Sequence, residues 1–139
     1  MHMAYVSARK KLDFEEAARF YSKVLDMQPQ NQVALIDRAI NFARLKQFDK
    51  AEADLRLATS ENCSARTLYQ AACVSALMPE RKNHTEGLRF LSQSLRAGYD
   101  AKRLRTDPDL ETLRVMDGFR GILRMYQLSK TALPSDAER

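Results

Sequence analysis

Apolar residues recur along this chain with helical spacing, in blocks that are separated by short polar stretches. Within each block they stand three and four positions apart, which places them on one face of an α-helix. Pro29, Pro79 and Gly98 fall at the ends of blocks, where these residue types commonly stop a helix. The blocks cover residues 13–28, 31–47, 48–61, 64–78 and 83–97. The pattern predicts an all-α chain in which short turns join the helices.

Polar residues at the start of three blocks predict where helices begin. Asp13 is followed by Glu16, and Asn83 by Glu86, in the arrangement of a capping box. In that arrangement each side chain satisfies an otherwise unpaired amide of the first helical turn. Ser64 is predicted to cap the helix that follows it.

The stretch 94–114 interrupts this pattern, and we expect it to terminate the array of helices rather than to carry a site. Gly98 is predicted to be the C-terminal cap of the preceding helix, with Asp107 as a later N-cap and Pro108 as the first helical residue. A last helix is predicted to cover the exposed side of helix 84–97. Its apolar face consists of Phe119, Ile122, Leu123 and Tyr126.

The apolar pattern also repeats with a period of 34 residues. After this shift, large residues mostly align with large ones and small residues with small ones. The aligned pairs include Phe14 and Phe48, Ala17 and Ala51, Tyr21 and Leu55, Leu35 and Tyr69, and Ala39 and Cys73. We expect Ala17, Ala39, Ala51 and Cys73 to lie where two helices approach closely, because a larger side chain there would cost ~1–3 kcal/mol.

Ala17-x3-Tyr21 followed by Pro29, and Ala51-x3-Leu55 one period later, resemble the second half of the tetratricopeptide repeat (TPR) pattern. The resemblance covers about residues 3–98. Cys63 stands where the second proline would be, and a third repeat has Gly87 in place of the alanine. The closing portion resembles the end of TPR regions in bacterial proteins, some of which are attached to serine/threonine kinases, although the chain contains no kinase motif.

The resemblance implies an all-α, TPR-like right-handed superhelix of antiparallel helix pairs with C-terminal capping helices. The expected repeats are about 3–29, 31–62 and 64–98, within residues 1–98. Capping helices of the same domain are expected over 99–132, and a flexible tail over 133–139. Since the first repeat begins incompletely, we expect the chain to be part of a larger protein or to pair with a second copy.

The sequence offers little that indicates catalysis. His2 and His84 stand in no metal-binding spacing, and the carboxylates at 15–16 and 107–111 are typical of helix N-terminal turns. Cys73 falls at a predicted buried contact, which disfavours a nucleophilic thiol. We therefore expect a non-enzymatic protein without a cofactor or a metal.

Charge and cysteine content bound the surroundings of the protein. The net charge is +5, and the excess is spread at helical spacing, which favours a solvated surface over a nucleic-acid site. Cys63 and Cys73 are ten positions apart, which favours free thiols in a reducing compartment and a cytoplasmic protein. No apolar run reaches the roughly 18 residues of a membrane span, so no membrane partner is expected.

The first helix of each TPR lines a concave groove that commonly holds a peptide. In this chain those helices are predicted at 3–11, 31–45 and 64–78. The predicted groove residues are Val6, Arg9, Ile36, Ile40, Arg44, Gln70, Val74 and Leu77. Because Ile36 and Ile40 occupy the places of a known carboxylate clamp, the expected ligand is an apolar peptide or a helix of a protein partner, and the expected role is that of an interaction or scaffold module.

Two alternatives remain open at this point. The groove is filled by the chain's own C-terminal helix or by a second protomer, which would make the chain a self-association module or a homodimer. Alternatively, the basic C-terminal half binds RNA, although only Phe90 and Tyr99 are placed for base stacking. The basic residues of this second hypothesis are Arg89, Arg96, Lys102, Arg103 and Arg105.

Overall fold

Helices account for most of the chain. The computed structural model describes the backbone of residues 2–131 and the side chains of residues 8–126. Over this range there are seven α-helices and two 3-10 turns. The α-helices are α1 (His2–Met27), α2 (Gln32–Arg44), α3 (Phe48–Ala58), α4 (Ala65–Leu77), α5 (Arg81–Arg96), α6 (Glu111–Arg114) and α7 (Asp117–Thr131). The 3-10 turns are Ala101–Arg103 and Pro108–Leu110. The predicted all-α class is confirmed.

The helices pack in antiparallel pairs around a core that runs along α2 and α4. α2 packs against α1, α3 and α4, and α4 also packs against α5 and the second 3-10 turn. Ala39, Ala51 and Cys73 are at most 1% exposed, so these predicted small contacts are confirmed. Ala17 is half-buried. The right-handed superhelix stays a prediction.

α1 differs from the sequence prediction because it is one continuous helix of 26 residues. Asp13 lies in its interior, so the predicted helix start there is wrong, and no separate opening helix spans 3–11. The physical reason lies in the composition: residues 2–27 contain neither Gly nor Pro, and Lys11 and Leu12 are good helix formers. A potential N-cap residue does not begin a new helix when the residues before it are already helical and contain no helix breaker.

Two other predicted caps had different outcomes. The Ser64 side chain accepts a hydrogen bond from the amide of Thr67, as predicted. Asn83 does not cap α5, because α5 already begins at Arg81. Asn83 lies in the first turn of this helix and is buried. The Glu80 carbonyl accepts the amides of Asn83 and His84, so the backbone starts the helix directly after Pro79 without a capping side chain.

Gly87 permits the close approach of α5 to α4. A Cβ atom at this position would lie 3.1 Å from the Ser75 Cβ and 3.3 Å from a methyl of Leu113. The smallest residue therefore stands where the TPR pattern has alanine, at a tighter contact. Ser75 is fully buried there, and its hydroxyl has no hydrogen-bond partner among the described residues.

The predicted termination of the array is confirmed in its local chemistry. Gly98 has φ +99°, and the Tyr99 amide donates to the Ser94 carbonyl at 2.9 Å, which closes the C-terminus of α5 in a Schellman motif. Asp107 caps the turn that begins at Pro108. Phe119 on α7 is 2% exposed, and α7 packs against α5. The predicted tail 133–139 lies outside the described residues.

Candidate functional site

The predicted groove residues do not form one open surface. Ile36, Ile40 and Val74 are 0%, 5% and 0% exposed, and all three belong to the hydrophobic core. The expectation that they face a ligand is therefore wrong in this structure. For Ile36 and Ile40 the reason is that α2 has three helical neighbours, so its second apolar side is buried within the chain, and Val74 is buried in the same core from α4.

The other predicted groove residues lie apart from one another. Gln70 and Leu77 are half-buried on α4. Arg44 is half-buried at the end of α2 and is bound to the C-terminal part of the chain. Arg9 is exposed on α1, and the side chain of Val6 lies outside the described residues. Only Arg44, Gln70 and Leu77 thus remain candidates. They lie on α2 and α4, and we call the surface formed by these two helices the α2–α4 face.

The segment 104–113 covers part of the α2–α4 face. The Arg44 guanidinium lies 2.6 Å from Asp109 Oδ2, and the Tyr69 hydroxyl donates to Asp107 Oδ2 at 2.7 Å. Arg114 donates hydrogen bonds to the backbone carbonyls of Leu104 and Asp107, which fixes the loop between these two residues. The C-terminal segment therefore meets both helices through charge-assisted hydrogen bonds.

Apolar side chains anchor the same segment. Leu104, Leu110 and Leu113 are at most 1% exposed. The ring of Tyr69 stacks on that of Tyr99, with a centroid distance of 4.3 Å. Burial and the hydrogen bond to Asp107 raise the pKa of Tyr69, so its hydroxyl stays protonated and remains a donor.

Cys73 lies beneath these contacts. Potential ligand atoms of Cys73, Asp107 and Asp109 lie within 4.8 Å of one another. Burial raises the pKa of the Cys73 thiol, and the neighbouring carboxylates raise it further. A metal ligand or a nucleophile would need the thiolate, which this environment disfavours, and both carboxylates already accept hydrogen bonds. This arrangement favours a structural role for the cluster.

Asp107 and Asp109 were expected only at the acidic start of a helix, and their contacts with Tyr69 and Arg44 were missed. The contacting residues are 38 and 65 positions apart in the sequence. Local capping rules explain Asp107 fully, so nothing near it signals a second role. The contact with Asp109 could have been sought from Arg44, because Arg44 is a cation at the end of a helix and was predicted to face the groove.

A known protein resembles this chain over part of its length. Over 72 residues the chain is 39% identical to a curated chloroplastic protein of Arabidopsis thaliana. That protein contains TPRs. The matched region covers 51% of this chain and 20% of the Arabidopsis protein, so the chain corresponds to about a fifth of the relative's length. This distant, partial homology supports a helical, TPR-like module. No protein-family model and no solved structure match the chain.

A second ion-paired cluster lies among the first three helices. Arg38 binds Asp54 through two hydrogen bonds of 2.7 and 2.9 Å and also donates to Ser22 at 3.0 Å, which links α1, α2 and α3. The Asp54 side chain is 5% exposed. This bidentate pair was not predicted from the sequence, and its geometry indicates a structural role.

The structure also bears on the RNA hypothesis. Phe90 is 6% exposed, and Tyr99 is stacked on Tyr69. The buried Phe90 ring and the occupied face of Tyr99 argue against base stacking, although the basic residues around them are exposed. Within the described residues, no helix is both long enough and apolar enough to cross a membrane.

Proposed function

We propose that this chain is a non-enzymatic, TPR-like module that binds a protein partner. The observation that carries the proposal is the 34-residue register, because it coincides with antiparallel helix pairs and with partial homology to a TPR-containing protein. Helical repeats of this kind stack into a right-handed superhelix and present extended surfaces for peptides or helices. A reducing compartment such as the cytoplasm remains our expectation for the protein.

The proposed contact surface is the uncovered part of the α2–α4 face. Gln70 and Leu77 are seven residues apart on α4, which places them on one side of the helix and about 10 Å apart along it. Both are partly exposed, whereas Val74 between them is fully buried. An apolar side chain beside an amide suits a short amphipathic helix or an extended peptide.

Site-specific photo-crosslinking tests this proposal. A photo-reactive phenylalanine analogue replaces Gln70 or Leu77 in two separate variants of the full chain, expressed in its native host. Leu57 on α3 is 59% exposed and provides the matched control position. We expect discrete protein adducts at 70 and 77 that are absent at 57 and that resist ribonuclease.

Three outcomes would count against the proposal. Adducts of equal yield at 57, 70 and 77 would show nonspecific contact, and the absence of adducts at 70 and 77 would remove the surface. Adducts that disappear on ribonuclease treatment would favour the RNA alternative instead. Circular dichroism of each variant checks that the helices are intact.

A further inference from the structure

The N-terminal part of α1 extends beyond the helix that supports it. α1 has 26 residues and α2 has 13. At a rise of about 1.5 Å per residue, these lengths are roughly 39 and 20 Å. Every described side chain from Ala8 to Asp13 is exposed, and burial begins only at Phe14. The exposed side of α1 continues to Phe20, and we call this side of residues 8–20, which excludes Phe14 and the buried Ala18, the α1 overhang.

The α1 overhang carries apolar residues on the side that faces away from the core. Leu12 and Phe20 are each 60% exposed. The α2-facing residues of α1, Ala18 and Leu25, lie on the other side of the helix and are at most 8% exposed. A shallow depression of about 410 Å³ follows the exposed side. It is lined by Ala8, Arg9, Leu12, Asp13, Glu16 and Arg19, all from α1.

The charges along the α1 overhang are ordered. Residues 9–11 are all basic, and acidic residues follow at 13, 15 and 16. Arg9 and Glu16 are two helical turns apart on the side that bears the depression. No salt bridge forms at either residue within the described part of the chain.

This order of charges is complementary to itself when two copies of the helix run in opposite directions. If a second α1 packs antiparallel with the symmetry axis near Leu12, Arg9 of each copy lies opposite Glu16 of the other. Because positions 9 and 16 are equally far from 12.5, the axis falls between Leu12 and Asp13, and Leu12 lies beside Leu12 and Asp13 of the other copy. A two-fold interface requires one surface to carry both halves of such a pattern, and this short segment does.

We propose that the α1 overhang is a self-association surface on which α1 of a second copy packs antiparallel. The surface is separate from the α2–α4 face, so the proposal does not depend on the proposed function. It differs from a homodimer in which a second protomer fills the groove, because the contact is made by the outer side of α1.

Sedimentation equilibrium of the full chain over a wide concentration range tests the proposal. Arg9→Glu and Glu16→Arg each place like charges opposite one another twice, and each should weaken dimerisation by at least about tenfold. The double variant restores both pairs in reversed order, so its dimer dissociation constant should return to within about threefold of the wild-type value. Lys102→Glu reverses an exposed cation in the 3-10 turn Ala101–Arg103, outside α1, and should change nothing.

Two results would overturn the proposal. One is a wild-type chain that stays at its monomer mass of 15.9 kDa at all concentrations. The other is a double variant that associates as weakly as the single variants. Circular dichroism of every variant shows whether α1 remains helical, so loss of association through unfolding is recognised.

Discussion

Tyr69→Phe tests whether the C-terminal segment is held to α4 by the contact seen in the structure. The substitution removes one hydroxyl and keeps the ring, which is 2% exposed and stacked on Tyr99. The lost interaction is the hydrogen bond to Asp107 Oδ2, with an oxygen-to-oxygen distance of 2.7 Å. The variant therefore isolates the polar part of this contact.

The expected size of the effect follows from the environment of the carboxylate. A hydrogen bond to a charged group contributes ~1.5–3 kcal/mol to stability. Asp107 is half-buried and keeps its hydrogen bond from the Asp109 amide, so water replaces the hydroxyl in part. We expect Tyr69→Phe to lower the free energy of unfolding by about 1.5–2 kcal/mol, near the lower end of that range. In a chain of this size the Tm then falls by roughly 5–7 °C.

Urea unfolding followed by circular dichroism at 222 nm measures this change. The control is Tyr99→Phe, which keeps the ring stack and removes a hydroxyl that forms no hydrogen bond among the described residues; its effect should stay within about 0.5 kcal/mol. A double-mutant cycle with Asp107→Ala separates the coupling to Tyr69 from the lost N-cap. If Tyr69→Phe is as stable as the wild type, or if the coupling is zero, the contact does not hold the segment.

Three further outcomes follow from other contacts. Burial, and then nearby carboxylates, raise the pKa of Cys73 above its ordinary value of 9.0, so the unfolded thiol ionises first and stability should fall by about 1.4 kcal/mol per pH unit well above pH 9. In urea titrations from pH 8 to 10, Cys73→Ala should reduce this slope, leaving the contribution of Cys63, whose pKa burial also raises. Gly98→Ala should destabilise by about 1–2 kcal/mol in thermal unfolding, because φ +99° is strained for a residue with a Cβ atom, and an equal Tm would contradict this reading. Asp54→Ala should lower the free energy of unfolding, measured by chemical denaturation, by about 2–3 kcal/mol, since Arg38 loses a bidentate partner that is 5% exposed. The control is Glu52→Ala, at an exposed ion pair, which should have little effect.

Local signals in the sequence predicted much of the fold. Ser64, Gly98 and Asp107 act at helix ends through groups within three or four residues, so their roles are visible in a short window. The small residues Ala51 and Cys73 were found through the 34-residue period, which links positions that are equivalent in space. Such features depend on neighbours that the sequence itself places together.

The candidate site was less predictable because it depends on how many helices surround each residue. The register places Ile36 and Ile40 correctly on a second apolar side of α2, but a helical pattern does not show whether a ligand or the chain itself covers that side. In the structure, α2 is surrounded by α1, α3 and α4, and both isoleucines are buried. Replacing them with glutamate would bury a charge and unfold the domain, so it would not test ligand binding.

The segment over the α2–α4 face is packed into the hydrophobic core. Leu104, Leu110 and Leu113 are at most 1% exposed, and burying three such side chains contributes roughly 5–9 kcal/mol. The ion pair of Arg44 with Asp109 and the hydrogen bond of Tyr69 to Asp107 add to this burial. A partner that displaced the segment would have to compensate for the burial of these three side chains and for both polar contacts. For the proposed partner binding and self-association, the structure offers surfaces that the segment does not cover, namely the side of α4 around Gln70 and the overhang of α1.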